Sequence, residues 1–302
     1  MSRSLVVLAV AGTLLAAPIA SAHVEAGARS FPVTLTFDDP GVGDEMTLPQ
    51  ITWQRSAGPQ SVWQAQWEFD KTITPTTSLI YNHGFDLLSQ AGSPRRNGLE
   101  NVFLTGKWQA YTNPAHEFVL SFGVAREFGG TRSTQNIGGD TFGATTPLLY
   151  VGKGLGDLPI GNFRPLAITG EFGYSFADRR LNSLASNSGA PNMVSGSLSL
   201  QYSLPYLQAQ VKDYALPGFL GNLVPLVEAN WHSPASGPAS GNPTQLMFGV
   251  GAIYSAQSYQ IGVEALLPGN KASGQNVGFT VQVHLFFDDL LPHSLGKPLL
   301  DW

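Results

Sequence analysis

Cysteine is missing from all 302 residues, which excludes disulfides and thiolate metal centres. Charge is scarce as well: Asp, Glu, Lys and Arg make up 12% of the chain, about half of the roughly 25% usual in soluble domains. Long apolar runs are also lacking. Beyond residue 22 no stretch is continuously apolar over the ~18 residues that mark a transmembrane helix. The G-x-S-x-G nucleophile elbow, the H-E-x-x-H zinc pattern and the P-loop are absent, so the sequence offers no motif for an enzyme and no cofactor is expected. The formal net charge of −5 argues against nucleic acid and anionic lipid head groups as partners.

What the sequence does contain begins at its N-terminus. Arg3 is followed by an apolar run, Leu5 to Leu15, and by Ala-Ser-Ala at 20–22. A charged n-region, a short h-region and a small-x-small site together predict a signal peptide over 1–22, cleaved to leave His23 first. Loss of Arg3 takes the net charge from −5 to −6. An exported chain that is poor in charge and has no spanning helix has one way to satisfy its backbone in lipid, a closed barrel.

Alternation supports that reading. In 61–71, Trp63, Ala65, Trp67 and Phe69 fall on one face and Gln64, Gln66, Glu68 and Asp70 on the other. In 194–203, Val194, Leu198, Leu200 and Tyr202 oppose Ser195, Ser197, Ser199 and Gln201. In 277–287, Val277, Phe279, Val281, Val283 and Leu285 oppose Thr280, Gln282, His284 and Phe286. Period two with one apolar face is the strand signature. Twelve such segments are expected, about 48–56, 60–71, 76–87, 98–110, 115–126, 144–155, 163–175, 193–204, 223–233, 244–255, 257–267 and 276–287. Their connections alternate between long Gly/Ser/Asn/Pro-rich links and mostly short turns, the outer-membrane pattern of long external loops and short periplasmic turns. The chain therefore reads as all-β, a transmembrane antiparallel β-barrel of about twelve strands over 47–287, in the outer membrane of a Gram-negative-type bacterium. Residues 23–46 are expected to form a periplasmic N-terminal segment outside the barrel, and 288–302 a periplasmic tail.

The HLFFDDLLPHSLGKPLL ending, with the signal peptide and the alternating strands, resembles bacterial outer-membrane barrels of the MetA-pathway phenol-degradation or "transporter" family. The resemblance implies passage of small, often apolar or aromatic, solutes, and brings no catalytic residues with it.

The strand phases assign Gln64, Gln66, Glu68, Asp70, Lys107, Glu117, Lys153, Glu171, Glu228, Glu264, Gln282 and His284 to the lumen. Acids outnumber lysines there, which favours cations over anions in a pore. The expected function is a passive channel or uptake barrel with outer-membrane lipids and a small solute as partners. The alternative is a barrel filled by its own side chains, carrying a metal-binding N-terminus: His23 would supply an α-amino group and an imidazole, and Asp38, Asp39, Asp44 and Glu45 follow it. The aromatics, Trp63, Trp67, Trp108 and Tyr150 among them, are expected to form an interfacial girdle.

Overall fold

The computed structural model describes residues 24–56, 58–130, 132–139, 142–178, 190–236 and 243–300. The expected signal peptide and His23 lie outside them. The strands are β1 (Val24–Ala26), β2 (Arg29–Phe31), β3 (Glu45–Arg55), β4 (Gln60–Thr74), β5 (Thr77–Gln90), β6 (Arg96–Leu99), β7 (Val102–Asn113), β8 (Phe118–Phe128), β9 (Ala144–Gly154), β10 (Leu166–Ala177), β11 (Met193–Tyr202), β12 (Leu223–Pro234), β13 (Gln245–Ser255), β14 (Tyr259–Pro268) and β15 (Gly278–Phe286). A short helix, α1 (Arg132–Ile137), lies between β8 and β9.

From β3 onward each strand pairs antiparallel with its neighbours, and β15 returns to β3, closing a ring of twelve. β6 and β7 together make one of the twelve. β5 pairs with β6 as Phe85–Leu99 and with β7 as Asn82–Phe103, so the register slips by one residue at Glu100–Asn101. That bulge turns two successive side chains, Glu100 and Asn101, toward the interior.

The ring is turned inside out relative to a soluble domain. Trp63, Trp108, Phe122, Val124, Leu198, Leu200, Val250 and Val263 are exposed on the outside. Thr169, Ser199, Gln201, Glu228, Glu264, Thr280, Gln282 and His284 are buried inside. An apolar band facing out and polar residues facing in is the pattern of a barrel whose solvent is lipid. Tyr150 departs from the expected girdle: it is 1% exposed and points into the lumen, against Lys107.

The long connections 91–95, 129–143, 178–192, 235–244 and 269–277 leave from one end of the ring. The turns at 75–76, 114–117 and 256–258 leave from the other, as do both ends of the barrel chain. Two longer links also leave from that second end: 155–165, with a helical turn at Gly161–Phe163, and 203–222, with helical turns over Leu204–Val211 and Gly218–Gly221.

The segment expected to lie beyond the barrel enters it instead. β1 and β2 form a hairpin whose Gly27, at φ +67°, could not carry a Cβ, because that atom would come 2.4 Å from the Pro114 carbonyl oxygen. Val24, Ala26 and Phe31 pack on Val119 and Ala167, Val33 on Phe286, and Leu35 on Leu226 and Ile253. The partners are inward-facing apolar residues, exceptions to a polar lumen, placed where residues 24–44 cross it. Burying them against the segment removes apolar surface from water, which draws the segment inside.

The C-terminal tail follows the same end of the barrel. Phe287 N–H donates to the Asp44 carbonyl (2.7 Å), and Leu299 and Leu300 donate to Thr72 and Ile73 (3.1 and 2.8 Å). Asp288 lies beyond the last strand, where burial, with Asp44 and Glu45 adding like charge, pushes its carboxyl up to about 7 from the ordinary 3.8. A carboxyl raised on docking favours the docked tail below its ordinary value and loses that contribution as pH rises through about 7. Hydrogen-exchange protection of the Leu299 and Leu300 amides, corrected for intrinsic rates, should therefore fall between pH 5 and pH 8. Asp288→Asn should remove the change, and protection that is flat with pH in the wild type would refute it.

Candidate functional site

The barrel interior divides into two zones along its axis. Toward the long loops there is an open vestibule of ≈ 660 Å³, lined by Gln54, Gln64, Gln66, Glu100, Asn101 and Asn230 among others. Toward the short turns the lumen is filled by residues 24–44. Val33–Asp38 form the boundary between the two and line the vestibule's inner side.

The plug is held by its own backbone. Val33 N–H donates to Gln260 Oε1 (3.0 Å), Leu35 N–H to Glu228 Oε1 (3.3 Å), Asp38 N–H to Glu171 Oε2 (3.3 Å) and Val42 N–H to Gln109 Oε1 (3.2 Å). Thr36 donates its hydroxyl to Glu228, Gln50 its amide to the Leu35 carbonyl, and Ser121 its hydroxyl to the Pro40 carbonyl. A buried strand without neighbours would leave these polar groups unpaired at a cost of about 1–3 kcal/mol each. Inward-facing side chains take the place of a neighbouring strand.

At the closed end Arg29, from the hairpin, is 1% exposed. Its Nε meets Glu117 Oε2 (3.2 Å), its other nitrogens donate to the Pro165 and Arg164 carbonyls (3.0 and 2.6 Å), and its guanidinium lies 3.8 Å from the centre of the Tyr206 ring. Glu117 also accepts from Tyr206 Oη (2.7 Å) and Gly156 N (3.0 Å). Lower on the plug, Asp44 accepts from Lys71 Nζ (2.5 Å) and from both the N–H and the hydroxyl of Thr72 (2.8 and 2.5 Å).

The residues assigned to the lumen from strand phase fall into distinct places. Gln64 and Gln66 donate to Glu100 at the vestibule wall (2.5 and 3.1 Å). Glu68 accepts from Asn82, and Asp70 is buried further in. Lys107 is buried with its Nζ 2.7 Å from Asp38 Oδ2 and 3.8 Å from Asp39 Oδ1, over the Tyr150 ring. Glu171 and Glu228 hold the plug. Glu264, next to Glu228, occupies space left by Gly249 and Gly251 on the strand between them, whose Cβ atoms would collide with it. Gln282 reaches Thr47 (3.4 Å). His284 joins Thr47 Oγ1 (2.9 Å) to Glu45 Oε2 (2.8 Å), a relay that ties β15 to β3.

Lys153 is a correction. Gly152 and Gly154 face the plug and Arg29, so Lys153 between them faces outward. At the end of β9 it reaches Asp157 (2.9 Å) and the His116 carbonyl. A lysine on the outward phase is tolerated there because the strand has left the apolar band and its ammonium reaches polar groups at the rim. Glu100, Asn101, Asp38 and Asp39 are lumen residues that phase alone did not supply: the first two sit at a bulge, and the others on the plug.

No family model and no curated protein matches the sequence. Among solved structures the chain is similar to the KdgM porin (10% identity, TM-score 0.44, covering 79% of this chain and 99% of that one). It is also similar to LpxR from Salmonella typhimurium (10%, 0.40, 80% and 100%) and to the outer membrane protein OprD from Pseudomonas aeruginosa (10%, 0.36, 88% and 96%). Closure of the ring and its lipid-facing apolar band rest on the chain's own geometry. The protein is a transmembrane antiparallel β-barrel. Its interior holds a polar vestibule that ends on an N-terminal plug.

Proposed function

We propose that the barrel is a channel for small polar or cationic solutes, and that residues 24–44 are its gate. The observation that carries this reading is the vestibule's inner boundary. It ends on a peptide segment joined to the wall by hydrogen bonds and small apolar contacts, not on side chains interlocked across the ring. A segment docked in that way can leave as a unit. The vestibule's amides, hydroxyls and carboxylates suit a hydrated or cationic solute better than the apolar or aromatic one implied by family resemblance, since acid-rich linings favour cations. The strength of the plug's anchors, above all Arg29–Glu117, favours a second reading in which the plug is permanent and the barrel structural.

The absence of native cysteine allows a direct test. A Cβ at Gly262 would lie 3.0 Å from Leu35 Cγ, so Leu35→Cys with Gly262→Cys places two thiols across the plug–wall contact within reach of a disulfide. In planar bilayers the refolded wild type should show stepwise, cation-selective openings under voltage. The double variant should conduct when reduced, fall silent when oxidised and recover on reduction. Openings that persist in the oxidised variant would overturn the gate. No current from either protein, with barrel folding confirmed by gel mobility, would leave the structural reading.

A further inference from the structure

A dense group of charged side chains lies where the plug meets the wall. Asp38 and Asp39 come from the plug, Glu45, Glu68 and Asp70 from β3 and β4, and Glu171 from β10. One lysine, Lys107, interacts electrostatically with Asp39, Glu45, Glu68, Asp70 and Glu171 and makes its short contact with Asp38. Six carboxyl groups thus share one fixed cation. Buried carboxylates left uncompensated are costly, and the group can be neutralised by protons or by a further cation.

The geometry favours a cation. Ligand oxygens of Asp38, Glu68 and Asp70 all lie within 4.8 Å of one another. Two oxygens that each sit about 2.4 Å from one calcium ion are separated by no more than about 4.8 Å, so the three can share an ion with little movement. A second observation points to the same spot. Asp70 is 2% exposed, and its Oδ1 has no hydrogen-bond partner, although buried polar oxygens are ordinarily paired. Access is available, because Asp38 and Glu68 also line the open vestibule.

We propose that Asp38, Glu68 and Asp70 bind a hard divalent cation, of which calcium is the best fit, and that the ion ties the plug to the barrel wall. The donors are all oxygen, which selects calcium, magnesium or manganese over softer metals. Calcium accepts irregular oxygen shells and mixed protein and water ligands, whereas magnesium demands a near-ideal octahedron. Asp38 belongs to the plug and the other two to β4, so the ion adds a cross-link that neither element makes alone. The site's consequence for conduction rests on the gate reading; the binding itself does not.

The test is calorimetric titration of the refolded full chain, stripped with EDTA, with calcium chloride. One saturable calcium site is expected, bound more tightly than magnesium. Asp70→Asn and Glu68→Gln should each weaken it by about tenfold or more, whereas Asp178→Asn, at an exposed acid paired with Arg126, should leave it unchanged. Gel mobility confirms that each variant has formed a barrel. Absence of calcium binding in the folded wild type would overturn the proposal, and so would binding that survives Asp70→Asn. Bilayer currents separate this from the gate. Currents from a folded barrel that binds no calcium in the titration remove the site and keep the gate. Calcium binding to a barrel that never conducts keeps the site and removes the gate.

Discussion

Arg29→Met should loosen the plug by about 3–5 kcal/mol, the cost of stranding one partner of a buried ion pair. The substitution removes the Glu117 contact, both donations to the Pro165 and Arg164 carbonyls and the face-on contact with Tyr206. Methionine fills much of the space with an apolar chain but donates nothing. Glu117 keeps its bonds from Tyr206 Oη and Gly156 N, which places the loss toward the lower end of that range. The wall itself should remain, because Arg29 joins no barrel strand to another. The expected result is a folded, heat-modifiable barrel whose N-terminal segment becomes accessible to protease, with more frequent openings in bilayers. Arg126→Met is the control. Its partner Asp178 is about as exposed as Arg126 itself, and exposed pairs contribute about 0–1 kcal/mol. If Arg29→Met leaves both protease access and current unchanged, the hairpin is not what holds the plug.

The barrel was legible in the sequence because its physical rule is local. Every second residue meets lipid, so the phase can be read from a few neighbours, as in Ser195–Gln201 against Val194–Tyr202. Strand extents follow from the same rule: the segment expected at 193–204 is Met193–Tyr202, and that at 223–233 is Leu223–Pro234. The rule fails where something other than lipid or water sits on a face. Strand phase alone places Lys153 inward, whereas the glycines on either side make room for Phe31, Pro40 and Arg29 and so mark the inward phase. The bulge at Glu100–Asn101 reverses the phase within one strand, and alternation carries no sign of it. The plug was the largest omission. Phe31-Pro-Val-Thr-Leu-Thr alternates like a strand, but a single chain segment does not say which surface it will cover. The clue lay on the other side, in inward positions occupied by Val119, Leu226, Ile253 and Phe286 where polar residues were expected. Apolar residues on a lumen face ask for a partner, and the N-terminal segment is the part of the chain that supplies one.

Leu198→Arg should cost about 2–4 kcal/mol of barrel stability, the penalty for arginine on the lipid face at mid-membrane. Leu198 is near the middle of β11, 40% exposed, beside Gly170 on β10 and Ala229 on β12. A Cβ on Gly170 would come 2.9 Å from Leu198 Cδ2, so the leucine also covers backbone that its neighbour leaves bare. Arginine would surrender that cover and carry a charge into hydrocarbon, too far from either interface for its head group to escape fully. Ser199, the next residue, is no fair comparison, because at 1% exposure it has no room for a long side chain. Gln64→Arg is the proper one. Gln64 faces the vestibule with its amide 2.5 Å from Glu100 Oε1, so an arginine there meets water and a carboxylate. Folding into lipid vesicles, titrated with urea and read by gel mobility, should show a large loss for Leu198→Arg and a small one for Gln64→Arg. At about 1.4 kcal/mol per decade, the first corresponds to roughly thirty- to a thousandfold in the folding equilibrium. Equal losses in the two variants would mean that Leu198 does not face lipid.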